Sequence, residues 1–278
     1  MKAFGLTAAG HFPRHLAIGS LAAALALGTT AALAAPVMYV HDSVGKLAKV
    51  DVANGAVTTI GNMPQVMTDI AFDPSGNLFG ITFTGLYSIN ASTAATTFIG
   101  NHGVSGGNAL VFGADGTLYA AGNSTTSLFS LNLSTGAGTN LGNMGFSSGG
   151  DLAFNAGNFY LASASGQLVR INLGGSPLSA VAVGSFGVAN MFGLATGDDG
   201  VLYGVAGTTV YTINTATGAA TNGVSYAGQG LGTAFGQSFI TEAGGGDGGG
   251  TVPEPASLAL LGIGLAGLGA ARLRRTKA

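Results

Sequence analysis

The side chains best suited to chemistry lie at the starts of recurring sequence segments. Asp69 and Asp151 each begin a similar four-residue run, Asn108 directly precedes a third such run, and His102 lies a few residues earlier. Two carboxylates, an amide and an imidazole could bind a calcium ion or a sugar, or transfer protons, if the fold brings them together. These four residues are candidates for a small polar site at the mouth of a channel. The favoured interpretation is that they hydrogen-bond within the channel and between neighbouring segments, because buried polar groups need partners in any fold.

Other residues that could carry chemistry are few in the central part of the chain. The whole sequence has no cysteine. His41 and His102 have no second ligand at zinc-like spacing. No serine, histidine and aspartate are spaced as a catalytic set, and Arg170 is the single arginine between residues 36 and 242. We therefore expect no metal site, no cofactor and no catalytic residue.

The candidate residues belong to a repeat with a period of about 41 residues. In each unit the first apolar run is followed by a glycine-containing turn and a second run. A third run ends in asparagine, as in Leu86-Tyr-Ser-Ile-Asn90, and a fourth, such as Thr97-Phe-Ile-Gly100, closes the unit. The four segments that begin the units are Asp69-Ile-Ala-Phe72, Ala109-Leu-Val-Phe112, Asp151-Leu-Ala-Phe154 and Gly193-Leu-Ala-Thr196.

Four short strands in every unit of this length are typical of a β-propeller blade, which buries its faces only against neighbouring blades. Residues 36–51 supply two strands of a first blade that lacks its innermost strand. Residues 230–235 resemble that missing strand and are predicted to close the ring. The sequence thus predicts an all-β fold, a five-bladed β-propeller over residues 35–242. A two-sheet β-sandwich is the alternative.

The composition limits the partners of this domain. Glycine accounts for 50 of the 278 residues and charged residues for only 7%. Between residues 36 and 242 there are three basic and nine acidic residues, which gives a net charge of −6. A domain with so little positive charge cannot neutralise phosphates, so we expect no nucleic-acid partner. The many glycines are predicted to form turns between strands.

Residues 1–34 are predicted to be a secretory signal peptide. Two basic residues precede an apolar run from Leu16 to Leu27, and small residues follow up to Ala34. This order of charged, apolar and small residues is typical of signal peptides. Cleavage is expected after Ala34, because cleavage one residue later would place Pro36 next to the scissile bond.

The C-terminal end is predicted to contain a linker and a single membrane helix. The linker is glycine-rich and covers residues 243–252. Residues 256–271 are apolar and would form a helix about 24 Å long, slightly short of a hydrocarbon core of about 30 Å. A positive cluster after the helix favours a cytoplasmic C-terminus and leaves the propeller on the other side of the membrane. This cluster consists of Arg272, Arg274 and Arg275.

The segment between the linker and the apolar run is Pro253-Glu254-Pro255. The order Pro-Glu-Pro, short apolar helix and arginine cluster resembles the PEP-CTERM sorting signal, and the resemblance covers only residues 253–278. It implies recognition by a membrane transpeptidase-like enzyme called exosortase and removal of the helix. It also implies export into an extracellular matrix in bacteria that make exopolysaccharide. The alternative is a plain C-terminal membrane anchor.

The tail and the sparse chemistry of the domain together predict a function. We expect a non-catalytic protein of the cell surface or extracellular matrix, anchored in the membrane only before processing. Its expected partners are an exosortase-type enzyme and exopolysaccharide or other matrix components. The alternative is a propeller enzyme, a hydrolase or a lyase, that acts on extracellular polysaccharide with Asp69, Asp151 and His102 at the channel mouth.

Overall fold

The computed structural model describes residues 35–244. The predicted signal peptide with its cleavage site, most of the linker, the Pro-Glu-Pro motif, the apolar segment and the arginine cluster lie outside the described residues. Within residues 35–244, no helix is both long enough and apolar enough to cross a membrane.

The described chain consists of short strands joined by tight turns, with one 3-10 helix at its end, Glu242–Gly244. The strands contain four to eight residues. Such lengths agree with the glycine and asparagine turn positions of the repeat. The strands are β1 (Val37–Asp42), β2 (Lys46–Asp51), β3 (Val57–Asn62), β4 (Asp69–Phe72), β5 (Leu78–Ile81), β6 (Gly85–Ile89), β7 (Thr96–Asn101), β8 (Gly107–Phe112), β9 (Leu118–Gly122), β10 (Ser127–Leu131), β11 (Gly138–Asn143), β12 (Ser148–Asn155), β13 (Asn158–Ser163), β14 (Gln167–Asn172), β15 (Ser179–Ser185), β16 (Met191–Thr196), β17 (Leu202–Ala206), β18 (Thr209–Ile213), β19 (Ala220–Ser225) and β20 (Ala234–Ser238).

These strands form five antiparallel four-stranded sheets, each of which is one blade. Blades 2, 3, 4 and 5 consist of consecutive strands: β4–β7, β8–β11, β12–β15 and β16–β19. Blade 1 combines the end of the described chain with its start, in the order β20-β1-β2-β3. The predicted all-β, five-bladed propeller is therefore confirmed over the alternative β-sandwich.

The ring closes through β20, the innermost strand of blade 1. It pairs antiparallel with β1, and Val40 lies opposite Gln237. The prediction of a C-terminal closing strand is confirmed, but its predicted position is wrong by four residues. Residues 230–235 cannot all be extended, because Gly230 has a φ of 83°, a left-handed conformation typical of turns.

The hydrophobic core is divided into five layers, one between each pair of neighbouring blades. In the layer between blades 1 and 5, for example, Val40 packs with Ala195 and Val205. Each blade thus buries both faces against its neighbours. An isolated blade would expose both of these apolar faces, so the five blades depend on one another for stability.

Close packing at the outer edges of the blades also depends on glycine. Gly100 in the outermost strand of blade 2 lies against the turn at Thr135 of blade 3, where a Cβ would overlap the Thr135 carbonyl oxygen. Gly184 of blade 4 has the same relation to Thr217 of blade 5. Glycine therefore serves contact between blades as well as the turns that the composition predicts.

Candidate binding site at the channel mouth

The inner strands of all five blades begin at the same end of the central channel, which we call the mouth. A cavity of about 390 Å³ opens there. Its volume lies within the range of small-molecule sites, roughly 300–1,000 Å³. Every blade contributes the residue that directly precedes its inner-strand motif. These five residues are Thr68, Asn108, Gly150, Phe192 and Phe235.

Three phenylalanine rings give the mouth an apolar surface. Phe192 and Phe235, from blades 5 and 1, contact edge to face with ring centroids 6.0 Å apart and an interplanar angle of 85°. Phe83 extends from the loop between β5 and β6, and 54% of its surface is exposed. Phe192 and Phe235 are partly exposed, so all three side chains offer some apolar surface to a ligand.

Asn108 is the polar side chain of the mouth whose buried oxygen has no hydrogen-bond donor. It is only 9% exposed, yet its Oδ1 atom accepts no hydrogen bond. The neighbouring Thr68 hydroxyl, by contrast, donates to the Gly107 carbonyl at 2.8 Å. An unpartnered buried carbonyl costs about 1–3 kcal/mol, which a hydrogen-bond donor on a ligand would offset.

Asp69 and Asp151 lie one residue deeper than the mouth and join neighbouring blades. Asp69 Oδ2 accepts a hydrogen bond from the Leu110 N–H of blade 3 at 2.6 Å. Asp151 Oδ2 accepts one from the Leu194 N–H of blade 5, also at 2.6 Å. The Oδ1 atom of each aspartate accepts from the backbone N–H of the next residue. Both carboxyl groups thus join neighbouring blades through backbone contacts, and the two also lie within hydrogen-bond reach of each other.

Glu242 and the rest of the 3-10 helix close the opposite end of the channel. The helix packs against the inner strands β4, β8 and β12, and Ala243 is buried with Ala71 and Phe112. Glu242 Oε2 accepts a hydrogen bond from the Ser238 hydroxyl at 2.6 Å, while Oε1 has no partner. The described chain therefore ends at the face opposite the mouth.

The interior of the channel favours uncharged side chains. Burial raises the pKa of Asp69, Asp151 and Glu242 well above the usual carboxyl range. The charge of Asp69 further raises the pKa of Asp151, and the charge of Asp151 does the same for Glu242. Among the described residues, no group of three histidine, aspartate or glutamate side chains is placed to hold a metal ion.

His41 is a further buried group of the interior, and its ring nitrogens both lack hydrogen-bond partners. Burial lowers its pKa to about 4, so the imidazole is neutral at neutral pH. The ring lies beside Gly236. A Cβ at Gly236 would come within 2.6 Å of His41 Nε2 and would overlap Asp69 Oδ1. Glycine at this position therefore leaves room for both side chains.

His102 lies behind the mouth instead of lining the cavity. Its Nδ1 atom accepts a hydrogen bond from the Val104 N–H at 3.0 Å, so Nε2 carries the proton and donates to the Thr82 carbonyl at 3.0 Å. Its backbone N–H donates to the Thr84 carbonyl, also at 3.0 Å. Burial lowers the pKa of His102. These bonds hold the loop that carries Phe83 against the connection between blades 2 and 3.

Of the four predicted site residues, only Asn108 lines the cavity. The two aspartates lie beneath it and the histidine lies behind it, so the four side chains do not form one site. Sequence reasoning missed Phe192 and Phe235. Both directly precede the inner-strand motif, the position that Asn108 occupies in its own blade. Alignment of the repeats from one residue earlier would have found them.

The fold and the cavity define a class of protein: a five-bladed β-propeller with an open mouth at one end of its channel. The chain also carries a PEP-CTERM protein-sorting motif, because residues 251–275 match the model of that family. The prediction from Pro253, Glu254 and Pro255 is therefore confirmed. The motif implies an exported protein that an exosortase processes at a membrane.

Comparison with curated proteins gives no significant match. Among solved structures, a chain of the nidogen–laminin complex is 10% identical, with a TM-score of 0.53 over 74% of this chain and 98% of that chain. A gluconolactonase from Xanthomonas campestris is 14% identical, with a TM-score of 0.49 over 73% of this chain and 79% of that chain. At such low identity the first likeness indicates a shared fold alone.

Proposed function

We propose that this chain is a non-catalytic propeller of the cell surface or extracellular matrix, released there after an exosortase-type enzyme removes its C-terminal helix. The observation that carries this proposal is the PEP-CTERM motif over residues 251–275. A glycine-rich linker precedes the motif, so the processing enzyme can reach it without contact with the propeller. Exopolysaccharide or another matrix component is the proposed partner.

The contacts of the candidate catalytic residues support the non-catalytic part of the proposal. Asp69 and Asp151 are 0% and 1% exposed, and backbone N–H groups occupy their carboxyl oxygens. His102 is bonded to backbone groups through both ring nitrogens. A general acid or base must lie within hydrogen-bond reach of its substrate, and these three side chains do not line the cavity.

The sorting part of the proposal is tested by intact mass and cell fractionation of the native protein. The Pro253→Ala/Glu254→Ala variant changes the motif, and Asp247→Asn in the linker is the matched control. We expect the wild type and the control to lose the apolar segment and to appear outside the cell, while the motif variant stays in the membrane. If all three proteins keep residues 272–278 and stay membrane-bound, the protein is an anchored propeller and the proposal is wrong.

The non-catalytic part is tested by an assay for new reducing ends on the exopolysaccharide of the producing cells. We expect the purified protein to release none above the buffer control. Activity that disappears in a folded Asp151→Asn variant would show that the protein is an enzyme and would contradict this part of the proposal.

A further inference from the structure

We propose that the channel mouth binds a neutral saccharide, which packs against its phenylalanine rings and donates a hydrogen bond to Asn108. This inference deepens the proposed function, on which it rests, because it names the chemical class of the matrix component that the propeller holds. The arguments come from the cavity itself: the charge of its lining, its aromatic surface and its unpartnered carbonyl.

The lining of the cavity, all of it within the described part of the chain, has no charged side chain, which disfavours ionic ligands. An anionic ligand would lose hydration here without gaining a cationic partner. A cationic ligand in the cavity would not contact Asp69 or Asp151, because both side chains are buried beneath the lining. The mouth therefore suits an uncharged ligand.

The polar groups of the lining exclude a purely apolar ligand. Asn108 Oδ1 is buried and has no donor, and an apolar ligand would leave it in that state. Asn123, which is exposed, and Asn190, which is also exposed, line the cavity as well. The ligand must supply at least one O–H or N–H group at Asn108, and further polar groups would find partners around the rim.

The aromatic surface favours a ligand with C–H faces as well as hydroxyl groups. Phe192 and Phe235, both partly exposed, line the cavity from blades 5 and 1, and Phe83 lines it from the loop of blade 2. A sugar ring combines apolar C–H faces, which pack against aromatic rings, with hydroxyl groups that donate and accept hydrogen bonds. A neutral saccharide thus meets all three requirements of the site.

Binding to the full chain, purified in a detergent without a sugar headgroup, tests this inference by calorimetry. The probes are neutral di- and trisaccharides of glucose, galactose and mannose, with di- and trigalacturonate as charged counterparts. Phe83→Ala and Asn108→Ala remove the proposed contacts. Phe98→Ala is the matched control, because Phe98 is also 54% exposed but lies on the outermost strand of blade 2.

We expect at least one neutral probe to bind about tenfold more tightly than the galacturonates, and Phe83→Ala and Asn108→Ala to weaken it about tenfold each. Phe98→Ala should leave the affinity unchanged. The inference is overturned if no neutral probe binds, if the galacturonates bind equally well, or if Phe83→Ala has no more effect than Phe98→Ala. Phe83 is exposed, so its variant tests the site even if Asn108→Ala does not fold.

Failure of this inference differs from failure of the proposed function. A protein that is processed and exported but binds no neutral saccharide contradicts only the inference. A protein that binds a saccharide but stays in the membrane with its tail intact contradicts only the sorting part of the proposed function.

Discussion

The two ends of the central channel differ in structure: one is open and the other is filled. The mouth combines phenylalanine rings that are at least partly exposed with the unpartnered carbonyl of Asn108, and it encloses a cavity. The opposite end is filled by the 3-10 helix. The closing strand β20 reaches both ends, because Phe235 lines the mouth and Ser238 contacts Glu242 of the helix. The comparison is therefore between an open end and a filled end of one channel, joined by the strand that closes the ring. Substitutions at the mouth should alter binding, whereas changes near the closed end should alter folding.

Removal of the closing strand tests this difference most severely. A chain ended after Thr233 lacks β20, so blade 1 loses its inner strand and leaves the edge of β1 unpaired. We expect this chain to aggregate without a cooperative thermal transition. A chain ended after Gly244 keeps β20 and the 3-10 helix and is expected to unfold cooperatively in scanning calorimetry. Similar transitions in both chains would show that closure does not stabilise the ring.

The interior next to β20 should tolerate less change than an exposed turn. Gly236→Ala places a methyl group against Asp69 and His41, and we expect it to lower the free energy of unfolding by about 3 kcal/mol, as for overpacked cores. Gly174→Ala is the control, because a Cβ there meets nothing within 4 Å. Urea unfolding measures both variants. Equal stability of the two would mean that the interior rearranges easily.

The smallest expected effect is the pH dependence contributed by the closed end. The folded-state pKa of Glu242 is raised by burial, so its contribution to stability is present below the unfolded pKa of about 4.3 and is lost as the pH rises above it. We expect Glu242→Gln to have little effect at pH 4 and to stabilise the protein at pH 8. Urea unfolding at the two pH values measures this difference.

His41 contributes a pH dependence of stability opposite to that of Glu242. Burial lowers its pKa from 6.5 to about 4. Its contribution to the free energy of unfolding is therefore present above pH 6.5 and is lost as the pH falls below that value. Asp69 and Asp151 face the same interior and share the direction of Glu242. All three groups are common to wild type and variant, but the charges of Glu242 and the two aspartates raise one another's pKa, so the difference between the two proteins reports on Glu242 together with this coupling. A variant that is less stable at pH 8 would contradict the prediction.

Most of the fold could be predicted because its signals are local and repeated. The inner strand Asp69–Phe72 has the bounds that the repeat predicts, since a short apolar run followed by a glycine turn specifies it without reference to distant residues. The closing strand was predicted four residues too early. Residues 230–235 look like an inner strand, but the turn at Gly230 delays the extended backbone until Ala234.

The site could be predicted only in part, because exposure at the mouth depends on how the ring closes. Asn108 was found because a polar residue beside an apolar strand is conspicuous. Phe192 and Phe235 were missed because an apolar residue at the start of a strand normally belongs to the core. The role of His102 depends on its contacts with Thr82 and Thr84 in the β5–β6 loop, about 20 residues earlier in the chain, and the spacing of the sequence does not specify such contacts.

The position of Gly244 gives the propeller a polarity. Any tether made through the following residues starts from the face opposite the mouth. In copies held on a surface through those residues, the mouth would lie on the side of the propeller away from the attachment point. If such copies stood side by side, one long polymer could engage several cavities at once and be retained more firmly than by any single cavity.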